Sequence, residues 1–261
     1  MVQFSPQSRF KIRVALVWGT LLTAFAAFVA GFDLQFSFVR EKLPSLLGLE
    51  LTPEGMLQGV PLTLLVCVGA MLISVVLGLA AALGRLSHSA LAYGIATFYT
   101  SFFRGTPLLV QILLIYLGIP QLGPVPPAIP SGIIALSLCY GAYLSEIFRS
   151  AITAIARGQW EAGRALGLTD RQILGEIILP QALKIAIPPS GAMFISMLKD
   201  SSLVSVMGLW EIMFLAQSYG RSSYRYMEML LTAAIIYWAL SLLLEMLQAH
   251  LERRLHGNRP A

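Results

Sequence analysis

Arg104, Glu146 and Asp200 stand inside long apolar stretches of this 261-residue chain. A charge at the depth of a membrane-crossing helix costs about 2.5–3.5 kcal/mol, so such residues face protein or water and mark routes for polar solutes. Arg104 leads into Gly105-Thr106-Pro107. Pro107 removes a backbone donor and disturbs a helix, while Gly105 permits close backbone approach. A helix broken within a span presents amides and carbonyls to a charged solute. Thr106 and the backbone around it are therefore expected to meet a carboxylate. Asp200, with Ser201 and Ser202 beside it, is expected to meet a cationic group, and Glu146 is a second candidate for that cation. Glu146 has an equally open alternative: Arg149 follows it by three residues on one helix face, and Arg104 lies at similar depth, so an ion pair that holds the fold accounts for it too.

Other chemistries find no footing. A nucleotide-binding glycine-rich loop ends in Gly-Lys, and none of Lys11, Lys42, Lys184 and Lys199 follows a glycine. His88, His250 and His256 are scattered and form no ligand cluster. Cys67 and Cys139 lie in apolar segments and read as small buried hydrophobes. No serine sits in a Gly-x-Ser-x-Gly elbow. Neither catalytic residues nor a metal set nor a bound cofactor is expected.

The elements that must carry these charges are membrane helices. Apolar residues make up 57% of the chain and charged residues 12%, against about 25% charged in soluble domains. Val14 to Gly31, Met56 to Gly84, Gly105 to Ser145 and Met229 to Leu244 contain no Asp, Glu, Lys or Arg. The third run is too long for one crossing, and Pro120, Pro124, Pro126, Pro127 and Pro130 mark a turn inside it. The reading is all-α and polytopic, with about six spans near 14–31, 58–83, 89–118, 131–154, 182–206 and 229–249. Basic residues gather on one side: Arg9, Lys11, Arg13, Arg85, Arg149, Arg157, Arg164, Arg171, Lys184, Arg253, Arg254 and Arg259, against Arg40, Lys42, Arg221 and Arg225 on the other. The excess places both termini in the cytoplasm, and it accounts for the +5 net charge without any nucleic acid. The first apolar segment exceeds the length of a signal-peptide core and is read as an uncleaved helix.

Residues 149–184 form the longest charged loop. Trp160 to Leu166 suits a short helix closed by Gly167. Thr169-Asp170-Arg171-Gln172 has the capping-box pattern for a second helix, whose length Pro180 is expected to limit. At these residues the sequence resembles the permease subunits of ATP-binding cassette importers. Their signature loop reads Glu-Ala-Ala, three residues, Gly, nine residues, Ile, one residue, Leu-Pro. Here it runs Glu161-Ala162-Gly163, Gly167, Ile177, Leu179-Pro180 with every spacing kept. Gly163 replaces the second alanine, a change expected to loosen the helix by about 1 kcal/mol. The segments Phe102 to Gln111, Gly141 to Arg149, Gly158 to Ala162 and Leu198 to Leu203 look like blocks of the polar amino-acid members.

That resemblance implies a division into residues 1–55 (cytoplasmic start, accessory helix and external loop), a permease core of about five helices at 56–250 containing a coupling loop at 157–180, and a basic cytoplasmic tail at 251–261. It implies that Glu161, Ala162, Gly163, Gly167, Leu179 and Pro180 dock on a partner ATPase dimer that binds the ATP. It further implies a second permease, identical or related, a solute-binding protein outside, and a polar amino-acid substrate crossing the plasma membrane, whose ammonium group or basic side chain suits the chemistry of Asp200. A secondary transporter driven by an ion gradient would also explain the buried charges, but not the Glu161 to Pro180 spacing.

Overall fold

A helix satisfies its own amides, and a chain this apolar has no other way to run through hydrocarbon alone. The computed structural model describes residues 6–32 and 34–256, and the described residues are helical with no strand among them. Arg259 and the rest of the expected tail beyond residue 256 lie outside the described residues. The chain divides into two units, Met1–Glu41 and Lys42–Ala261. The first holds α1 (Pro6–Ala30), which has the length and apolarity of a span. Helix α2 (Phe36–Leu47) runs across the boundary.

The second unit begins its membrane helices with α3 (Gly59–Leu86), followed by α4 (Ala90–Gly105) and α5 (Leu108–Leu113). Helix α5 continues through a π-helical turn, Leu114–Gly118, and a 3-10 turn, Ile119–Leu122. Then come α6 (Ala128–Thr153), α7 (Arg157–Ala165), α8 (Asp170–Gln172), α9 (Leu179–Asp200), α10 (Ile212–Ser223) and α11 (Tyr226–His256). Spans by length and composition are Phe10–Ala30, Gly59–Leu86, Ala128–Thr153, Asp170–Met207 and Tyr226–Arg254. The span expected at 89–118 is instead the pair α4 and α5, whose axes turn by 107° across Thr106 and Pro107.

Helices α3 and α6 form the centre of the second unit. Between membrane helices there is no hydrophobic drive to associate, so small residues and polar contacts carry the packing. Ala70, Ser74 and Gly78 on α3 face Ser137, Gly141 and Ser145 on α6, all except Gly78 and Gly141 bearing small side chains. Ser74 Oγ donates to Ser137 O at 3.2 Å, and Ser137 Oγ is shared between Ile133 O (2.6 Å) and Ala70 O (3.2 Å). A Cβ on Gly78 would stand 2.8 Å from Leu144 Cβ and 3.1 Å from Gly141 O, so only glycine permits this approach.

Two features depart from the local reading. Pro180 does not end a helix: α8 passes through a π-helical segment, Ile173–Ile178, directly into α9. The wider turn lets Leu179 N–H reach back to Leu174 O and leaves room for the proline ring where an α-turn would clash. Residues 170–178 and the fifth span are thus one continuous helical run, which ends in a 3-10 turn, Ser201–Met207. Beyond it, Glu211 is fully buried and caps α10, its carboxylate accepting from Met213 N (2.8 Å), Phe214 N (2.7 Å) and Tyr237 Oη on α11 (2.7 Å).

Candidate functional site

The loop between α6 and α9 is built by local rules. Helix α7 closes with Gly167 in the left-handed conformation (φ 76°). Gly167 N–H donates to Arg164 O at 2.9 Å and Leu168 N–H to Gly163 O at 3.1 Å, the paired bonds of a Schellman motif. Thr169 and Gln172 make the reciprocal capping box, and Arg164 pairs with Asp170 at 3.1 Å. Glu161 and Ala162 are exposed, as is Pro180; Leu179 is half-buried.

Gly163 is the buried member of α7. A Cβ there would stand 2.7 Å from Ile173 Cγ1, and Ile173 has no exposed surface. The expected loosening by glycine therefore has a counterpart: the missing methyl lets α7 seat on the π-helical segment. Leu166, at the turn, is 79% exposed. The sequence reading passed over it because it falls between the signature positions; a large apolar residue at the tip of a polar loop is the signal.

The charges expected at span depth separate into two groups along α6. Glu146 is surrounded by guanidinium groups. Arg149 Nε and Nη2 donate to its Oε2 at 3.1 and 3.0 Å, Arg104 Nη1 to its Oε1 at 2.9 Å, and Arg85 Nη1 to the same oxygen. Three cations on one carboxylate leave net positive charge. Arg85, from the end of α3, was not among the sequence candidates, since nothing local links it to a residue 61 positions on. Arg104 remains 41% exposed and lies over the Tyr143 ring, 5.6 Å from its centroid.

Asp200 does not join that cluster. It is exposed at the end of α9, and its Oδ2 accepts from Tyr140 Oη at 2.7 Å. The Tyr140 and Tyr143 rings are 6.1 Å apart. Asp200, Tyr140, Tyr143, Arg104 and Glu146 thus form a continuous line, negative at one end and positive at the other. Residues 140 and 146 are separated by about 9 Å of helix. The hydroxyls of Ser201 and Ser202 bond their own helix, to Leu198 O and Lys199 O, each at 2.7 Å. Thr106 Oγ1 donates to Phe102 O at 2.9 Å. Tyr140 and Tyr143 escaped the sequence reading because aromatic residues on a span read as packing.

Comparison with known proteins agrees with this architecture. Over 201 residues the chain is 40% identical to the probable amino-acid permease protein YxeN of Bacillus subtilis (strain 168), covering 76% of this chain and 90% of that one. It is 39% identical over 203 residues to the arginine transport system permease protein ArtQ of the same organism, covering 77% and 93%. A crystal structure of an amino acid ABC transporter with histidines matches with a TM-score of 0.76 and 36% identity, over 85% of this chain and all of that one. The model of a binding-protein-dependent transport system inner membrane component matches residues 74–257, most of the chain, and the protein belongs to that family.

Proposed function

We propose that this permease subunit carries a polar amino acid along the face of α6 that bears Tyr140, Tyr143 and Glu146, between Asp200 at the end of α9 and the arginines around Glu146. The membership set out above makes the chain a multi-pass inner-membrane transport component of an ATP-binding cassette importer, with ATP hydrolysis on a separate subunit, and it removes the ion-gradient alternative. The observation that carries the finer reading is the exposure of Asp200 and Arg104 within helices long and apolar enough to span a membrane. Exposed charges there face water or another protein, since lipid solvates neither. A zwitterion fits the line of groups: its ammonium, or a basic side chain, at Asp200 and Tyr140, and its carboxylate at the guanidinium cluster. Because Glu146 already holds three arginines, the cationic end falls to Asp200 alone.

In this reading a second permease, a copy or a relative, closes the other side of the route, and a solute-binding protein delivers the substrate from outside. The hairpin of α7 and α8 seats on an ATPase dimer through Glu161, Ala162, Leu166 and the turn at Gly167. Both chain termini lie in the cytoplasm, in keeping with the distribution of Lys and Arg. The test is ATP-driven uptake by proteoliposomes containing the permease, its ATPase and its binding protein, using radiolabelled arginine and then the other labelled amino acids. Asp200→Asn is expected to abolish uptake while basal ATP hydrolysis persists. Wild-type uptake by Asp200→Asn overturns the route, and uptake without the ATPase overturns the coupling.

A further inference from the structure

Pro107 leaves a carbonyl without its donor. In an unbroken helix Phe103 O would accept from the amide four residues on, but residue 107 is a proline and has none. Gln111, another four residues along and 2% exposed, supplies a donor from its side chain. Its Nε2 lies 2.9 Å from Phe103 O, 3.1 Å from Thr106 O and 2.9 Å from Thr106 Oγ1. Thr106 Oγ1 passes the connection on by donating to Phe102 O. The backbone amides of Val110 and Gln111 donate to Pro107 O at 3.0 and 3.2 Å and so begin α5. One residue therefore ties the last turn of α4 to the first turn of α5. The only other side-chain donor to Phe103 O recorded among the described residues is the Cys139 thiol, at 3.9 Å, a weak donor.

The other end of the same carboxamide is left wanting. Gln111 Oε1 is buried with no hydrogen-bond partner. A stranded acceptor is unfavourable, and an apolar side chain of similar size would avoid it. What the amide gives in return is its contacts at the break. We infer that Gln111 is a positioning residue: it sets the 107° turn between α4 and α5 and so holds Arg104 against Glu146 and Tyr143, without itself touching the solute. Its bearing on transport rests on the reading of Arg104 as part of the route; its effect on the turn does not.

A distance measurement tests it. Spin labels at Phe98→Cys on α4 and Leu122→Cys beyond α5, positions 74% and 84% exposed, report the turn in the assembled transporter in nanodiscs. Cys67 and Cys139 are replaced by alanine, and labelled chain is diluted into unlabelled chain. Arms of about 13 and 23 Å meeting at the observed angle put the two backbones about 23 Å apart, against about 36 Å for a straight helix. Gln111→Leu, which has no donor to offer, is expected to lengthen or broaden that distance.

Adding Pro107→Ala to Gln111→Leu returns an amide to Phe103 O. That double variant is expected to recover the melting temperature while keeping the long distance. A Gln111→Leu chain that melts lower yet keeps the short, narrow distance overturns the inference, as its role is then only to stabilise. If Gln111→Leu does not assemble, a short distance in the double variant overturns it instead. A wild-type chain with the short distance and no amino-acid uptake counts against the transport reading and leaves Gln111's role at the turn intact.

Discussion

Replacing Gly163 with alanine would complete the Glu-Ala-Ala pattern that the loop resembles, and here it is expected to destabilise the protein. Alanine in a helix interior is favoured over glycine by about 1 kcal/mol. Against that stands the new methyl, 2.7 Å from Ile173 Cγ1, 3.0 Å from Cδ1 and 3.3 Å from Cγ2. Ile173 is fully buried in the cluster with Phe148, Ile152 and Ile178, so it has no free space to rotate into. Overpacking of this kind costs about 1–3 kcal/mol, leaving a net loss of about 1 kcal/mol. Ile173→Ala alone is expected to cost about 2–5 kcal/mol. Because the clash and the cavity cancel in part, the double variant should cost less than the sum of the two by about 1–3 kcal/mol. Unfolding of the purified permease in mixed micelles gives the four stabilities. If Gly163→Ala stabilises the protein, or the two changes simply add, then the close seating of α7 on the π-helical segment is not what requires glycine.

Other expectations follow from the same contacts. Glu146→Gln leaves Arg85, Arg104 and Arg149 facing one another without a carboxylate and is expected to cost about 2–3 kcal/mol in the same assay, whereas Arg104→Gln, at a half-exposed pair, should cost about 1 kcal/mol or less. Leu166→Asp alters a side chain with little of its surface covered, so its melting temperature should stay within the range of a shift of about 0.5 kcal/mol; loss of substrate-stimulated ATP hydrolysis by the complex would then report its role at the ATPase. Burial pushes the Glu211 carboxyl up from 4.5 to about 7, outweighing the bonds from Met213, Tyr237 and Phe214 that favour its charged form. A raised folded-state value gives stability that is complete below about 4.5 and is lost as the pH rises through about 7. The difference in melting temperature between wild type and Glu211→Gln should therefore change across that window and stay level above it.

How far the sequence carried depends on the range of each interaction. The turn at Gly167 and the capping box at Thr169 were legible because each closes within a few residues, and the Glu161 to Pro180 spacing is a local pattern. Pro107 announced a disturbed helix, but the 107° turn depends on where the carboxamide of Gln111 lands, which spacing alone does not say. Pro180 misled for a related reason: the rule for the residue before a proline assumes an α-turn, and the π-helical segment at Ile173–Ile178 changes the turn. Glu146 and its three arginines come from α3, α4 and α6, so only the fold could choose between an ion pair and a free carboxylate. Arg104 and Asp200 looked like neighbours by depth and are joined instead through two tyrosines.

The unbroken path from α8 through the π-helical segment to Asp200 has a mechanical consequence. The 31 residues from Asp170 to Asp200, with Pro188 and Pro189 inside them, reach about 45 Å, with the proposed ATPase contact at one end and the proposed substrate carboxylate at the other. Tilting such a run by about 5° about its foot displaces the far end by about 4 Å, more than a hydrogen-bond length. A small rotation of the loop at the proposed ATPase contact is thus enough leverage to pull Asp200 off Tyr140, so closure of the motor and release of the cargo can be a single stroke of one continuous arm.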